Sequence, residues 1–279
     1  MSTAPQDRPM PSLDKVPPLP GAVLELLRSL NDEDINTAGL AKKIGQDPAL
    51  SARVLKVVNS PFYGLAGQVS SLPEAVMVLG FSSVRNLAMA ASLTGGFPMH
   101  AQGGADPRRL WRHSFCCALS AQALAPPARV DAEAAFTAGL LHDIGRVALL
   151  AAFPERFAAV LEAHKQEGVD FNAAELAVLG FSHAAFGARL LERWRLPATL
   201  VHAVEFHHQP DTEPTSRLTD LVNVADHFSH AIEHDRLEQL VTAAEPNGAF
   251  IRLGLTRTQC GEELATLHEQ LEAVSLVLG

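Results

Sequence analysis

The chain has 279 residues, which suits one large domain or two ordinary ones. Its 47% hydrophobic and 19% charged residues fit a soluble globular protein. A formal net charge of −9 argues against a nucleic-acid-binding protein, because phosphate recognition wants a basic surface, although a local basic patch would escape that count.

Aromatic residues make up only 6% while alanine and leucine abound, so propensity favours helix. No uninterrupted apolar run reaches the ~18 residues of a membrane span. The first eight residues carry no signal-peptide pattern, and a cytoplasmic protein is expected. The 3 cysteines include the neighbours Cys116 and Cys117, which cannot readily bridge each other. Without a C-x-x-C pair they read as buried free thiols in a reducing compartment rather than metal ligands.

In chain order, residues 1–12 are rich in proline and serine and are expected to be disordered. Residues 22–30 place Val23, Leu26, Leu27 and Leu30 at helical spacing, and Asn31-Asp32-Glu33-Asp34 ends that helix. A second helix is predicted over 37–44. Asp47-Pro48 reads as an N-cap followed by proline at the first helical position and opens a third helix to Val58. Asn59-Ser60-Pro61-Phe62-Tyr63-Gly64 is a turn. Ser71-Leu72-Pro73-Glu74 has capping-box spacing and starts a fourth helix that stops at Gly80. A fifth spans about 82–93.

A weak linker follows, flanked by Gly95-Gly96 and Gly103-Gly104. The chain is then helical again, with breaks expected at Pro126-Pro127, Gly145, Pro154, Gly168, Gly180, Pro197 and Pro210. Asp131 and Ser182 are placed to cap the helices carrying His142 and starting at His183. A long amphipathic helix over 215–232 carries Asp226. With no strand alternation or internal repeat, the pattern implies an all-α bundle in two parts.

The chemistry-bearing residues are the pair His142-Asp143, with His113 upstream and His183, His207, His208 and Asp226 downstream. Imidazole and carboxylate suit a first-row divalent ion. Each member alone also has an ordinary role: His113 as a packed core residue, His183 at a helix start, His207 and His208 at a helix C-terminus, Asp226 as a solvated carboxylate. The remaining histidines (His100, His164, His202, His227, His230, His234, His268) form no recognisable set.

Several stretches together resemble the HDOD family, the HD-related output domains of bacterial signalling proteins, over about residues 14–275. They are Pro17-Pro18-Leu19-Pro20, Gln46-Asp47-Pro48-Ala49-Leu50, Val58-Asn59-Ser60-Pro61-Phe62-Tyr63-Gly64, Ala75-Val76-Met77-Val78-Leu79-Gly80-Phe81, Trp111-Arg112-His113-Ser114, Gly139-Leu140-Leu141-His142-Asp143-Ile144-Gly145, and Leu196-Pro197 after Trp194. The resemblance implies a five-helix N-terminal subdomain (13–98) packed on an HD-like helical bundle (99–279). Through the related HD phosphohydrolases, which bind one or two metals, it also implies one or two divalent ions, with Fe, Mn, Zn and Ni as candidates. His113, His142, Asp143 and Asp226 would hold the first, and Asp143 would bridge to a second held by His183, His207 and His208.

Two functions follow from the resemblance. The first is a signalling regulator acting through protein partners, with the 59–64 turn and Phe62 and Tyr63 as a candidate contact surface and neither membrane nor nucleic acid as partner. The second is a metal-dependent phosphohydrolase acting on a nucleotide or cyclic dinucleotide, with Asp143 and Arg146 in the chemistry. The first is favoured on sequence, because the GYP segment of the HD-GYP cyclic-dinucleotide phosphodiesterases is missing after the histidine doublet, and because the N-terminal helices of the family are expected near the HD face.

Overall fold

The computed structural model describes residues 9–19, 21–28, 36–60, 67–98, 104–166, 168–234, 248–265 and 267. Residues 1–8, within the segment expected to be disordered, and Phe62 and Tyr63 lie outside that set, as does the predicted end of the first helix at 31–34. Just beyond, Met10 packs against the core and Ser12 caps a short 3-10 turn, Leu13–Lys15.

Five helices form the N-terminal layer: α1 (Gly21–Arg28), α2 (Thr37–Gly45), α3 (Pro48–Val58), α4 (Leu72–Leu79) and α5 (Phe81–Gly95). Their ends follow local chemistry. The Asp47 carboxylate accepts from the Ala49 and Leu50 amides ahead of Pro48. The predicted capping box at Ser71 is half formed: Ser71 accepts from the Glu74 amide, but Glu74 reaches past it to the Ser70 amide at 2.8 Å. Gly80, with φ +84°, ends α4 and begins α5 in a conformation that only glycine adopts without strain. Asn59, at the end of α3, pairs with both the amide and the carbonyl of Val69, just ahead of α4.

The C-terminal layer comprises α6 (Pro107–Leu124), α7 (Ala132–Leu141), α8 (Ile144–Ala152), α9 (Pro154–His164), α10 (Phe171–Leu179), α11 (His183–Arg193), α12 (Ala198–Phe206), α13 (Arg217–Glu233), α14 (Gly248–Leu253) and α15 (Arg257–Leu264). Asp131 and Ser182 cap α7 and α11 as predicted, accepting from the Ala134 and Ala185 amides. No β-strand occurs among the described residues. Helices α6, α7 and α13 pack as a central trio, while α8, α11 and α12 close one flank.

One apolar core runs through both layers. Phe97, just after α5, meets the fully buried Trp111 of α6 with ring centroids 6.0 Å apart. At the same junction Arg85 of α5, buried on all sides, forms an ion pair with Glu133 in the first turn of α7, and Ser82 donates to the same carboxylate. The segment Ala132–Ala152 is long and apolar enough on average to cross a membrane, but 83% of its most apolar window is buried inside the protein, as befits a core element. Cys116, Cys117 and Cys260 are buried free thiols.

Gly145 does not break the chain. The interruption falls on His142 and Asp143 themselves, between α7 and α8, and Gly145 lies in the first turn of α8. Its missing side chain serves a close approach instead: a Cβ there would overlap the backbone carbonyl of His183, and Gly187 of α11 faces it across the contact.

Candidate metal centre

The junction between α7 and α8 turns the sequence pair into a pair of donors. His142 caps the end of α7, and its Nδ1 donates to the Gly139 carbonyl at 2.7 Å, which leaves Nε2 with a free lone pair. Asp143 occupies the N-cap position of α8 but makes no side-chain capping bond, so neither carboxylate oxygen is spent on the helix end.

Four other helices bring the remaining donors to this junction. His113 of α6 places Nε2 2.9 Å from Asp226 Oδ1 of α13. His142 Nε2 stands 3.7 Å from that same oxygen. On the other side, His183 at the start of α11 places Nε2 3.0 Å from Asp143 Oδ1. His207 and His208, just past α12, bring their Nε2 atoms to 3.3 and 3.2 Å from His183 Nε2. Donors around a tetrahedral ion with ~2.1 Å bonds stand about 3.4 Å apart, and cis donors around an octahedral ion about 3.0 Å, so these separations match a shared cation.

All seven sequence-predicted residues are thus brought together, and Asp143 divides its oxygens between two halves. Oδ1 faces His183 at 3.0 Å and His207 at 3.9 Å, while Oδ2 faces His142 at 3.7 Å and His113 at 4.0 Å. The donor atoms of Asp143, His183, His207 and His208 all lie within 4.8 Å of one another, as do those of His113, His142 and Asp143. His142 Nε2 and Asp143 Oδ1 are buried without a hydrogen-bond partner among the described residues, a costly arrangement unless a ligand meets them. The donor set therefore fits a pair of first-row divalent ions.

Electrostatics follow from burial. Burial alone would raise the Asp143 carboxyl, but the Arg146 guanidinium, 2.6 Å from Oδ2, and the imidazoles of His142 and His183 hold it well below the usual carboxylate range. For Asp226, burial is likewise outweighed by His113. Burial and neighbouring imidazoles push His207 well below its ordinary value and His208 down to about 3, so both are neutral donors rather than cations at a helix terminus. Burial also works against a charge on His113, but the hydrogen bonds with Asp226 and Glu233 prevail and raise it to about 10.

Three participants went unread in the sequence. Glu175 of α10 is fully buried and accepts from both the His183 amide, 2.8 Å, and His183 Nδ1, 2.6 Å, which fixes Nε2 as the inward-facing nitrogen. Glu233 does the same for His113, 3.0 Å from Nδ1. His230, set aside with the unassigned histidines, places Nε2 3.5 Å from Asp226 Oδ1. The spacing of Asp226, His230 and Glu233 on one helix face (i, i+4, i+7) was the available signal. Asp226 itself is 4% exposed in the middle of α13, not a solvated carboxylate.

The centre opens into a cleft of about 610 Å³ whose lining includes His113, Asp143, Arg146, Arg109, Arg112 and His230. Phe157, Leu161 and Phe171 form an apolar wall, and the Arg146 guanidinium lies 4.6 Å over the Phe171 ring. Among the described residues, none of α1–α5 lines this cleft, so the expected crowding of the HD face by the N-terminal helices is not found there.

The HDOD domain profile matches residues 16–210. The solved structure of a candidate phosphohydrolase from Shewanella amazonensis is 30% identical, covers 96% of each chain and superposes with a TM-score of 0.76. An uncharacterized protein of Treponema pallidum is 29% identical over 70% of this chain and 38% of its own length. Ribonuclease Y of Lawsonia intracellularis is 33% identical over 46% of this chain and 20% of its own. The chain therefore spans well under half the length of these two curated relatives.

Proposed function

The chain belongs to the HDOD family, and from that premise we propose that its C-terminal layer is a two-metal phosphohydrolase centre acting on phosphate esters of nucleotide size. The observation that carries this reading is the position of Asp143, one oxygen toward each half of a seven-donor set, in a centre that meets an open cleft at Asp143 and His113. Two divalent ions held there would acidify a shared water and polarise a phosphoryl oxygen.

The chain's own residues supply the rest. Arg109, Arg112 and Arg146 place positive charge along the cleft, which draws in an anionic ester. Arg146 is braced between Asp143 and the Phe171 ring, so its guanidinium is preorganised for a phosphoryl oxygen. Phe157, Leu161 and Phe171 give an apolar surface for the part of the substrate that does not react. The volume suits a small molecule or a chain end rather than folded nucleic acid, in keeping with the acidic balance. The similarity to a ribonuclease and to a candidate phosphohydrolase supports a phosphodiester as the first class to test.

A regulatory role through protein partners, favoured on sequence, is supported by the joint between the layers. Arg85 and Ser82 of α5 grip Glu133 in the first turn of α7, and the far end of α7 is His142. A partner bound to the N-terminal layer would act on the metal centre through this helix. A bacterial cytoplasmic signalling setting belongs to the same proposal.

The deciding experiment compares metal-reconstituted protein with His142→Ala and Asp143→Ala on bis(4-nitrophenyl) phosphate, nucleotides and cyclic dinucleotides. Turnover that disappears in both variants is the expected result. Full metal loading with no turnover of any of these would remove the hydrolase reading and leave the regulatory one.

A further inference from the structure

We propose that His230 is a fifth protein ligand of the first ion, added to His113, His142, Asp143 and Asp226, and that this half of the centre is consequently built for a five- or six-coordinate cation such as Mn, Fe, Co or Ni rather than for four-coordinate zinc. The inference rests on the metal-centre reading above and deepens it.

Helix α13 directs Asp226 and His230, one turn apart, to the same place. The donor atoms of His113, Asp226 and His230 lie within 4.8 Å of one another, forming a second group that shares His113 with the group of His113, His142 and Asp143. Asp226 Oδ1 is the common point: His113 Nε2 lies 2.9 Å from it, His142 Nε2 3.7 Å and His230 Nε2 3.5 Å. An octahedral ion with ~2.1 Å bonds separates cis donors by about 3.0 Å and trans donors by about 4.2 Å; the His113 distance stands at the cis separation and the other two lie between cis and trans. At 3.5 Å the imidazole is too far from the carboxylate for a good hydrogen bond. The His230 ring also lies against that of His113, with centroids 4.4 Å apart and planes 30° from parallel, so it is steered toward the centre although its side chain is 55% exposed.

Four protein donors already fill a tetrahedral shell, so a fifth donor is useful only to an ion that takes more. His230 also lines the cleft, whereas Asp226 and His142 do not. It therefore stands on the side from which substrate enters.

The test is calorimetric titration of the metal-stripped full chain with Ni(II) and, separately, Zn(II), for the wild type, His230→Gln and His234→Gln. His234 lines the same cleft but belongs to neither donor group. The exposure of both histidines makes the variants compatible with folding, which circular dichroism checks. We expect His230→Gln to weaken the tighter Ni(II) step by at least about tenfold, to affect Zn(II) much less, and His234→Gln to change neither. Unchanged Ni(II) binding in His230→Gln, an equal loss in both variants, or an equal loss for both ions would overturn the assignment while leaving the metal centre standing. A wild-type chain that takes up no ion would remove both.

Discussion

Glu175 grips His183 twice, through the ring Nδ1 at 2.6 Å and through the backbone amide at 2.8 Å. One carboxylate thus fixes the tautomer of a donor and holds the first turn of α11 in place. Glu175→Gln leaves two buried donors with a single neutral acceptor. The expected cost is about 2–3 kcal/mol of stability, read from urea unfolding of the metal-free protein, together with a ~10–100-fold loss of second-ion affinity. Wild-type stability and affinity in this variant would reduce Glu175 to a bystander.

Because Asp143 faces both halves of the centre, its loss differs in kind from the loss of an outer donor. Asp143→Asn is expected to abolish metal uptake altogether. His208→Ala is expected to remove one ion per chain and keep the other. Elemental mass spectrometry on gel-filtered protein separates these outcomes, and equal stoichiometry in the two variants would contradict the bridging role.

Gly145 and Gly187 let α8 and α11 touch backbone to backbone, which sets the distance between Asp143 and His183. Gly145→Ala forces the helices apart at the His183 carbonyl. We expect a loss of about 2–3 kcal/mol and failure to bind the second ion, seen as a lower thermal midpoint and a halved metal content. Alanine tolerated with full metal content would mean that the contact is slack.

Arg85 is fully buried and Glu133 partly exposed, with side-chain exposures of 1% and 28%. The two truncations should therefore be unequal. Glu133→Gln strands a buried guanidinium and is expected to cost about 3 kcal/mol. Arg85→Met leaves a carboxylate that water can reach and should cost less, and the double variant should be more stable than Glu133→Gln alone. Chemical denaturation of the three proteins measures this order; equal losses would show that the pair is not the joint between the layers.

Arg146 neutralises part of the Asp143 charge and lines the cleft. Arg146→Gln removes a cation that opposes metal entry, so ion affinity should hold or rise. Turnover of a phosphodiester should fall by about 10²-fold or more as a preorganised donor is lost. Steady-state kinetics beside metal titration checks the split; parallel loss of both would make Arg146 a support for the fold.

The sequence by itself determined the all-helical class, many of the helix ends and the seven residues that converge at the junction of α7 and α8. Helix ends such as those at Asp47, Asp131 and Ser182 are decided by hydrogen bonds spanning two or three residues, and such chemistry is written locally. These seven were legible because the surrounding stretches resemble a family related to the HD phosphohydrolases, whose metal-binding histidines and aspartates they match, not because spacing alone required them. Tertiary structure decided the rest. Glu175 meets His183 across a turn, Glu233 meets His113 across 120 residues, and His230 looked like one spare histidine among several until α13 was packed on α6. Gly145 looked like a hinge and proved to be a contact. A cap is a property of adjacent residues, whereas a coordination shell and a cleft are properties of distances between helices, which only the packing of the core fixes.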